Sequence, residues 1–356
     1  LAAAPAIAAA LLCWLPVWQT PSIVAASRAA FAAAFPPAAA AAAVAGAPAP
    51  APAGSALRSA PAPTPLNLGA LFLGAPAPDV RAERGIAFLE ETDADGRSYR
   101  FAADFWRPAG DGPFPVVIRV HGGAWVSGDK GAGNMGFMNR YLAGRGYAVF
   151  DIQYGLNRDA EFALKAPTPP ELLGPFGIDD MVRQIGAFSA FLADNADRFA
   201  ADPDRVFLSG GSAGGQLILA AALAASSGYA ERRPGYGIDA RLTVLGLAPF
   251  YPAVGGAAGL GISGSPELQQ PIRLLSAAAP PALVYQGGLD GLVPLARVRE
   301  FAAAYNAAGG GRMALIEFPT AGHGSDLEFW NCYNQVYVYF LDRFLDALAY
   351  PPSDGI

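Results

Sequence analysis

The chain has 356 residues, 53% of them hydrophobic and only 15% charged, with 42 Gly and 32 Pro. That length fits one large α/β domain with an appendage, and the composition excludes disorder along the whole chain. The 24 basic and 30 acidic residues give a net charge of −6, which repels phosphates and excludes a nucleic-acid partner. Two cysteines, Cys13 and Cys332, cannot build a disulfide framework or a structural zinc site. Any imidazole chemistry must use His121 or His323.

Residues 1–78 carry only two charged side chains, Arg28 and Arg58. Leu1–Trp18 is charge-free and close to the roughly 20 apolar residues that span a bilayer as a helix. Ala29–Leu57 is also charge-free but is interrupted by Pro36 and Pro37. Residues 1–46 are therefore expected to be an apolar leader, either a membrane anchor or an export signal cleaved near Ala43–Gly46. The following Ala- and Pro-rich stretch, 47–78, reads as a semi-rigid linker. The folded domain is expected from 79 to 356, starting between Asn67 and Asp79.

Ile86–Glu90 and Tyr99–Trp106 predict two antiparallel strands around the Asp93–Gly96 turn. Pro115–Val120 is the continuous apolar run expected of a strand buried on both faces. His121-Gly122-Gly123-Ala124-Trp125 follows it directly. Small residues there let backbone amides approach a bound carbonyl, so Gly123 and Ala124 are candidate oxyanion donors. Gly122 shapes the turn, and Trp125 either lines the substrate pocket or fills the core. His121 reads as a strut of this loop, and Gly128-Asp129-Lys130 as residues that order it.

A helix is expected over Met135–Arg145, a strand over Tyr147–Gln153 and an amphipathic helix over Ile178–Asn195, with Asp179 and Asp180 suited to cap its start. Val206–Leu208 reads as a strand that leads through Gly210-Gly211-Ser212-Ala213-Gly214 into the helix Gln216–Ala225. In so tight a strand–turn–helix the central serine is strained and exposed, while Ala213 N–H at the helix start faces a developing oxyanion. Strands at Thr243–Leu247, Ala282–Gln286 and Ala314–Phe318 and helices at Ala296–Ala307 and Leu327–Ala349 complete the pattern. Strands alternating with helices imply a mostly parallel sheet whose ligand site lies beyond the carboxyl ends of the strands.

Asp290 and His323 each fall just past a strand, on the edge that carries Ser212, in the order Ser, Asp, His. His323 would accept the Ser212 proton, and Asp290 would fix the imidazole tautomer. Asp326 reads as a helix cap. Two segments rich in Pro, Gly or Ala, Tyr154–Gly177 and Phe250–Pro281, would cover the site. The sequence holds no metal-ligating motif and no phosphate loop.

Together HGGAW…SGDK, DPDRVFLSGGSAGGQ, QGGLDGLVP and AGHGS resemble the α/β-hydrolase superfamily. Within it they are similar to the carboxylesterase/lipase branch with an H-G-G-x-W loop: hormone-sensitive-lipase-like carboxylesterases, feruloyl and acetyl esterases, and the kynurenine-formamidase-like group. The resemblance spans roughly residues 80–350. It implies cofactor-free hydrolysis of a small-molecule ester through an acyl-enzyme, with Ser212, Asp290 and His323 as the triad. The leading expectation is a serine carboxylester hydrolase for short- to medium-chain acyl esters, membrane-anchored or exported. An arylformamidase or small-amide hydrolase keeps the same triad, and a non-catalytic membrane-tethered binding domain is the third reading.

Overall fold

A computed structural model describes residues 3–35, 60, 62–76, 78–132, 135–162, 166–308 and 312–351, with side chains from Trp14 onward. The cleavage region expected at Ala43–Gly46 and most of the Ala/Pro linker lie outside the described residues. The strands are β1 (Arg81–Thr92), β2 (Ser98–Arg107), β3 (Phe114–Val120), β4 (Ala148–Ile152), β5 (Ala201–Gly211), β6 (Val244–Phe250), β7 (Ala282–Gly287) and β8 (Met313–Phe318). They form one eight-stranded sheet in the order β1-β2-β4-β3-β5-β6-β7-β8. β1 and β2 are an antiparallel hairpin, β2 meets β4 antiparallel, and every pairing from β4 to β8 is parallel.

The principal helices are α1 (Ala3–Ala34), α2 (Leu68–Leu73), α3 (Met135–Gly144), α4 (Ile178–Asp194), α5 (Ala213–Ser226), α6 (Leu295–Ala307) and α7 (Cys332–Ala349). Side chains alternate between the faces of a strand, and β3 shows the result. Val116, Ile118 and Val120 enter one core together with α4, α5 and α6. Val117 enters the other, beneath α1, α3 and α7. Both faces of the sheet are covered, which is why the β3 run carries so few polar residues.

The leading helix is part of this packing. Ile23, Val24, Phe31 and Phe35 are buried in the second core. Phe31 meets Phe340 at 6.0 Å between ring centroids, and Phe35 meets Phe344 at 5.3 Å. Thr320 Oγ1 donates to Gln19 Oε1 at 3.0 Å. Among the described residues no helix is long and apolar enough to cross a membrane. Residues ahead of position 79 also bond to the domain: Ala60 N donates to Gly144 O, and Asn67 N to Gln335 Oε1.

One helix starts later than expected. α7 begins at Cys332, where the Asn331 side chain accepts from Asn334 N at 2.9 Å. The stretch from Leu327 to Asn331 is a turn instead. It ties back on itself through Asn331 Nδ2, which donates to Ser325 O and Glu328 O.

Candidate active site

β5 delivers Ser212 at the tip of its turn into α5, with φ 52° and ψ −114°. Side-chain-bearing residues rarely adopt positive φ, and the packing on either side of the turn enforces it. A Cβ at Gly214 would lie 2.2 Å from Val120 O, and one at Gly210 would lie 2.8 Å from the same atom. The flanking glycines are what allow β5 and β3 to close around the serine. Ser212 N donates to Phe250 O at 2.9 Å, tying the turn to the end of β6.

His323, past the end of β8, places Nε2 3.1 Å from Ser212 Oγ and Nδ1 2.8 Å from Asp290 Oδ2. Asp290, past the end of β7, is held from its other oxygen, where Oδ1 accepts from Leu292 N and Val293 N at 2.9 and 2.8 Å. Burial pushes the Asp290 carboxyl up, but the His323 hydrogen bond, the two amides and the nearby imidazole outweigh it and hold it below its ordinary value. An anionic Asp290 against Nδ1–H leaves Nε2 free to accept from the serine hydroxyl.

The loop after β3 faces the serine. Gly123, Ala124 and Trp125 hold φ of 126°, 53° and 62°. A Cβ at Gly123 would fall 1.9 Å from Ser127 O. Gly123 O accepts from Val126 N and Ser127 N, which curls the loop. Gly122 packs directly on the elbow, since a Cβ there would stand 2.9 Å from Gly211 O.

Trp125 is both a lining and a core residue: it borders the cavity and is buried, with Nε1 donating to Gln216 Oε1 at 3.1 Å. His121 is a strut. Its ring stacks on Tyr154 at 4.4 Å and its Nδ1 meets Gly122 O at 2.8 Å. Burial pushes its pKa down to about 4, so it is neutral at pH 7. Asp129 accepts from Gln153 Nε2 at 2.6 Å, and Lys130 pairs with Asp104 at 3.5 Å, which orders the loop. Asp180 reaches back to Gly177 N at 3.0 Å as a cap, while Asp179 accepts from Ser265 N at 2.7 Å and pins the covering segment.

Asp326 is a correction to the sequence reading. It caps no helix; its Oδ1 accepts from Tyr251 O–H at 2.5 Å. Tyr251 itself was not foreseen. It follows β6 with φ 33°, lines the cavity and packs against the His323 ring with 4.5 Å between centroids. Arg119 was missed as well. It is buried beside the cavity, donating to Asn139 Oδ1 at 2.9 Å and Met135 O at 3.1 Å.

Ser212, His323 and the loop after β3 open into a cavity of about 640 Å³. Both expected covering segments contribute walls, Phe162 and Pro167 from one and Ala253 and Leu260 from the other. The arrangement offers a hydroxyl aligned with a base and a largely apolar chamber for an uncharged group.

Fold and site define an α/β hydrolase with a serine–histidine–aspartate constellation at the carboxyl edge of its sheet. A BD-FAE family model matches residues 104–233, and a prolyl oligopeptidase family model matches residues 182–345. Esterase LipQ of Mycobacterium tuberculosis is 29% identical over 63% of this chain and 54% of its own length. Among solved structures, an esterase B from Lactobacillus rhamnosis superposes with a TM-score of 0.60 at 22% identity, covering 79% of this chain and 91% of that one. The propionate-bound esterase 2 of Thermogutta terrifontis gives 0.58 at 19% identity, covering 79% and 97%. The chain spans about half the length of the curated relatives it matches. Its fold is the α/β-hydrolase fold, and its sequence is similar to esterases of the carboxylesterase/lipase branch.

Proposed function

We propose that the chain is a serine carboxylester hydrolase acting on short- to medium-chain acyl esters, with Ser212, His323 and Asp290 as its triad. Ser212 Oγ adds to the ester carbonyl while its proton passes to His323 Nε2. The new oxyanion lies against the amides of Gly123, Ala124 and Ala213, each typically worth about 2.7–4 kcal/mol in the transition state. Collapse breaks the C–O bond to the alcohol, which leaves with the His323 proton, and the acyl group remains on Ser212. Water then gives a proton to His323 and its oxygen to the acyl carbon, and the returning proton frees Ser212 and the carboxylic acid. The reaction so written needs no cofactor. Gly122 and Trp125 shape the substrate-binding wall.

The observation that carries this reading is the unbroken Asp290–His323–Ser212 hydrogen-bond line, at 2.8 and 3.1 Å, opening into an apolar cavity. Membrane association through the apolar segment 1–46 belongs to the same proposal, supported by its near lack of charge. The test is fluorophosphonate labelling beside Ser212→Ala, with p-nitrophenyl ester turnover from acetate to palmitate and one ester compared with its matched amide. Labelling lost in Ser212→Ala, with turnover lower by about 10⁶ and the ester preferred, is expected. Labelling that survives the substitution removes Ser212 as nucleophile, and faster amide turnover replaces the ester assignment.

A further inference from the structure

The geometry points to a lipid-docking surface formed by α1, α2 and the turn after His323, which seats the mouth of the active site on the polar–apolar boundary of a bilayer. This deepens the membrane association proposed above and does not depend on the catalytic roles. Several of the large apolar side chains that the fold leaves in water lie on these elements. Leu73 is 88% exposed, Phe72 64%, Leu327 60% and Trp18 57%. They stand against two complete cores, so burial was available to residues of this kind.

Trp14, Phe72 and Leu327 join this surface to the site. Trp14, one helical turn from Trp18, meets Phe72 with 5.8 Å between ring centroids. Trp14, Phe72 and Leu327 border a groove of about 570 Å³ between α1, α2 and the turn. Gly324 and Leu327 border both that groove and the catalytic cavity. Leu292, also exposed, borders the cavity next to Val293. The platform and the catalytic mouth therefore share a wall.

The chemistry selects a lipid boundary as occupant. From Trp14 to Ser27 α1 has no charged residue, α2 has none, and α1 runs on to Ala3 through an equally charge-free stretch. Paired tryptophans with an apolar body and one N–H suit the headgroup level. An apolar patch this extended on a folded surface marks an interaction site. A second copy seated here would stop the mouth between Leu327 and Leu292, whereas a lipid boundary presents acyl esters to it. Glu328 is the one charged residue among those bordering the groove, so binding has little Coulombic component for salt to screen.

Flotation of the full chain with vesicles of dioleoylphosphatidylcholine alone tests this. The full chain is expected to float, and to stay bound in about 1 M salt, where the screening length is about 3 Å. Trp14→Ser/Trp18→Ser/Phe72→Ser/Leu73→Ser is expected to lower partitioning at least tenfold and to leave p-nitrophenyl acetate turnover in water unchanged. Should the fourfold variant misfold, Trp18→Ser/Leu73→Ser, at the most exposed positions of the two helices, is expected to lower partitioning severalfold. Failure of the full chain to float overturns the membrane association and this surface together. Equal flotation of full chain and variants keeps the association and overturns the surface. A dimer in solution that the variants dissociate, without vesicle binding, assigns the patch to a second copy and overturns the lipid assignment.

Discussion

Among the described residues, four of the five non-glycine residues with positive φ, Ala124, Trp125, Ser212 and Tyr251, border the cavity. Ser212 on the elbow and Ala124 and Trp125 on the loop packed against it hold these conformations at about 1–3 kcal/mol each. Ala124 is the replaceable one, because the role proposed for it belongs to its N–H and not to its methyl group. Ala124→Gly removes the left-handed penalty but adds glycine's entropy cost. The net expectation is a gain of up to about 1 kcal/mol in urea unfolding, with kcat/KM within about threefold. A hundredfold loss of kcat/KM would mean that the methyl group itself holds the loop.

His121 contributes through its charge state. Its pKa is pushed down to about 4 by burial, against about 6.5 when unfolded. Between those values the unfolded chain binds the extra proton, so stability rises with pH through the window and is lost as pH falls through it. The loss reaches about 3 kcal/mol near pH 4. Urea titrations of the parent should show this slope, and His121→Asn should lack that component of it. Identical slopes would mean that the ring protonates without unfolding.

Tyr251 packs beside the His323 ring. Its O–H bonds Asp326, three residues beyond His323, while its ring packs on the imidazole. Tyr251→Phe keeps the ring but takes a donor from a buried carboxylate, expected to cost about 1–3 kcal/mol. Thermal unfolding would register that loss. A lower kcat at unchanged KM would place the effect on the alignment of His323.

At the scale of elements, what could be read in advance depended on how local the determinant was. The elbow around Ser212 and the loop at Gly122–Ala124 were legible because each follows a strand and is spelled in adjacent residues. Tyr251, Arg119 and the Tyr251–Asp326 bond were not. They meet only when β3, β6 and the turn after β8 come together, and nothing within a few residues of Tyr251 announces that neighbour. α1 shows the same limit. Ile23, Ser27, Phe31 and Phe35, four apart, make one buried stripe. The surrounding alanines and the lack of charge gave that stripe no polar face to stand out against, so the segment read as a leader. The stripe yields its own expectation: Phe31→Ala should cost about 3–5 kcal/mol in urea unfolding of the whole domain. A cost below about 1 kcal/mol would mean that α1 detaches in solution. At the elbow, Gly214→Ala drives a methyl into Val120 O and His121 O. A loss of at least about 3 kcal/mol is expected, because backbone on both sides cannot yield.

For the whole molecule, substrate choice is a matter of how the covering segments meet the sheet. Phe162 comes from the segment after β4 and Leu260 from the segment after β6, and they close the cavity opposite the strand ends. Asp179 fastens one covering segment to α4 through Ser265 N, so the walls are held by the same helix that covers the first core. A chamber of about 640 Å³ falls within the about 300–1,000 Å³ usual for small-molecule sites, and its size should set the acyl length accepted. Phe162→Ala/Leu260→Ala enlarges it without touching Ser212, His323, Asp290 or the loop at Gly122–Ala124. Each methylene newly accommodated in an apolar pocket is worth about 1–3 kcal/mol of discrimination. The ratio of kcat/KM for p-nitrophenyl octanoate to that for acetate should therefore rise at least tenfold, with acetate turnover nearly unchanged. If the ratio stays the same while both rates fall, the two residues act by holding the site closed to water, and chain length is selected at the mouth between Leu292 and Leu327.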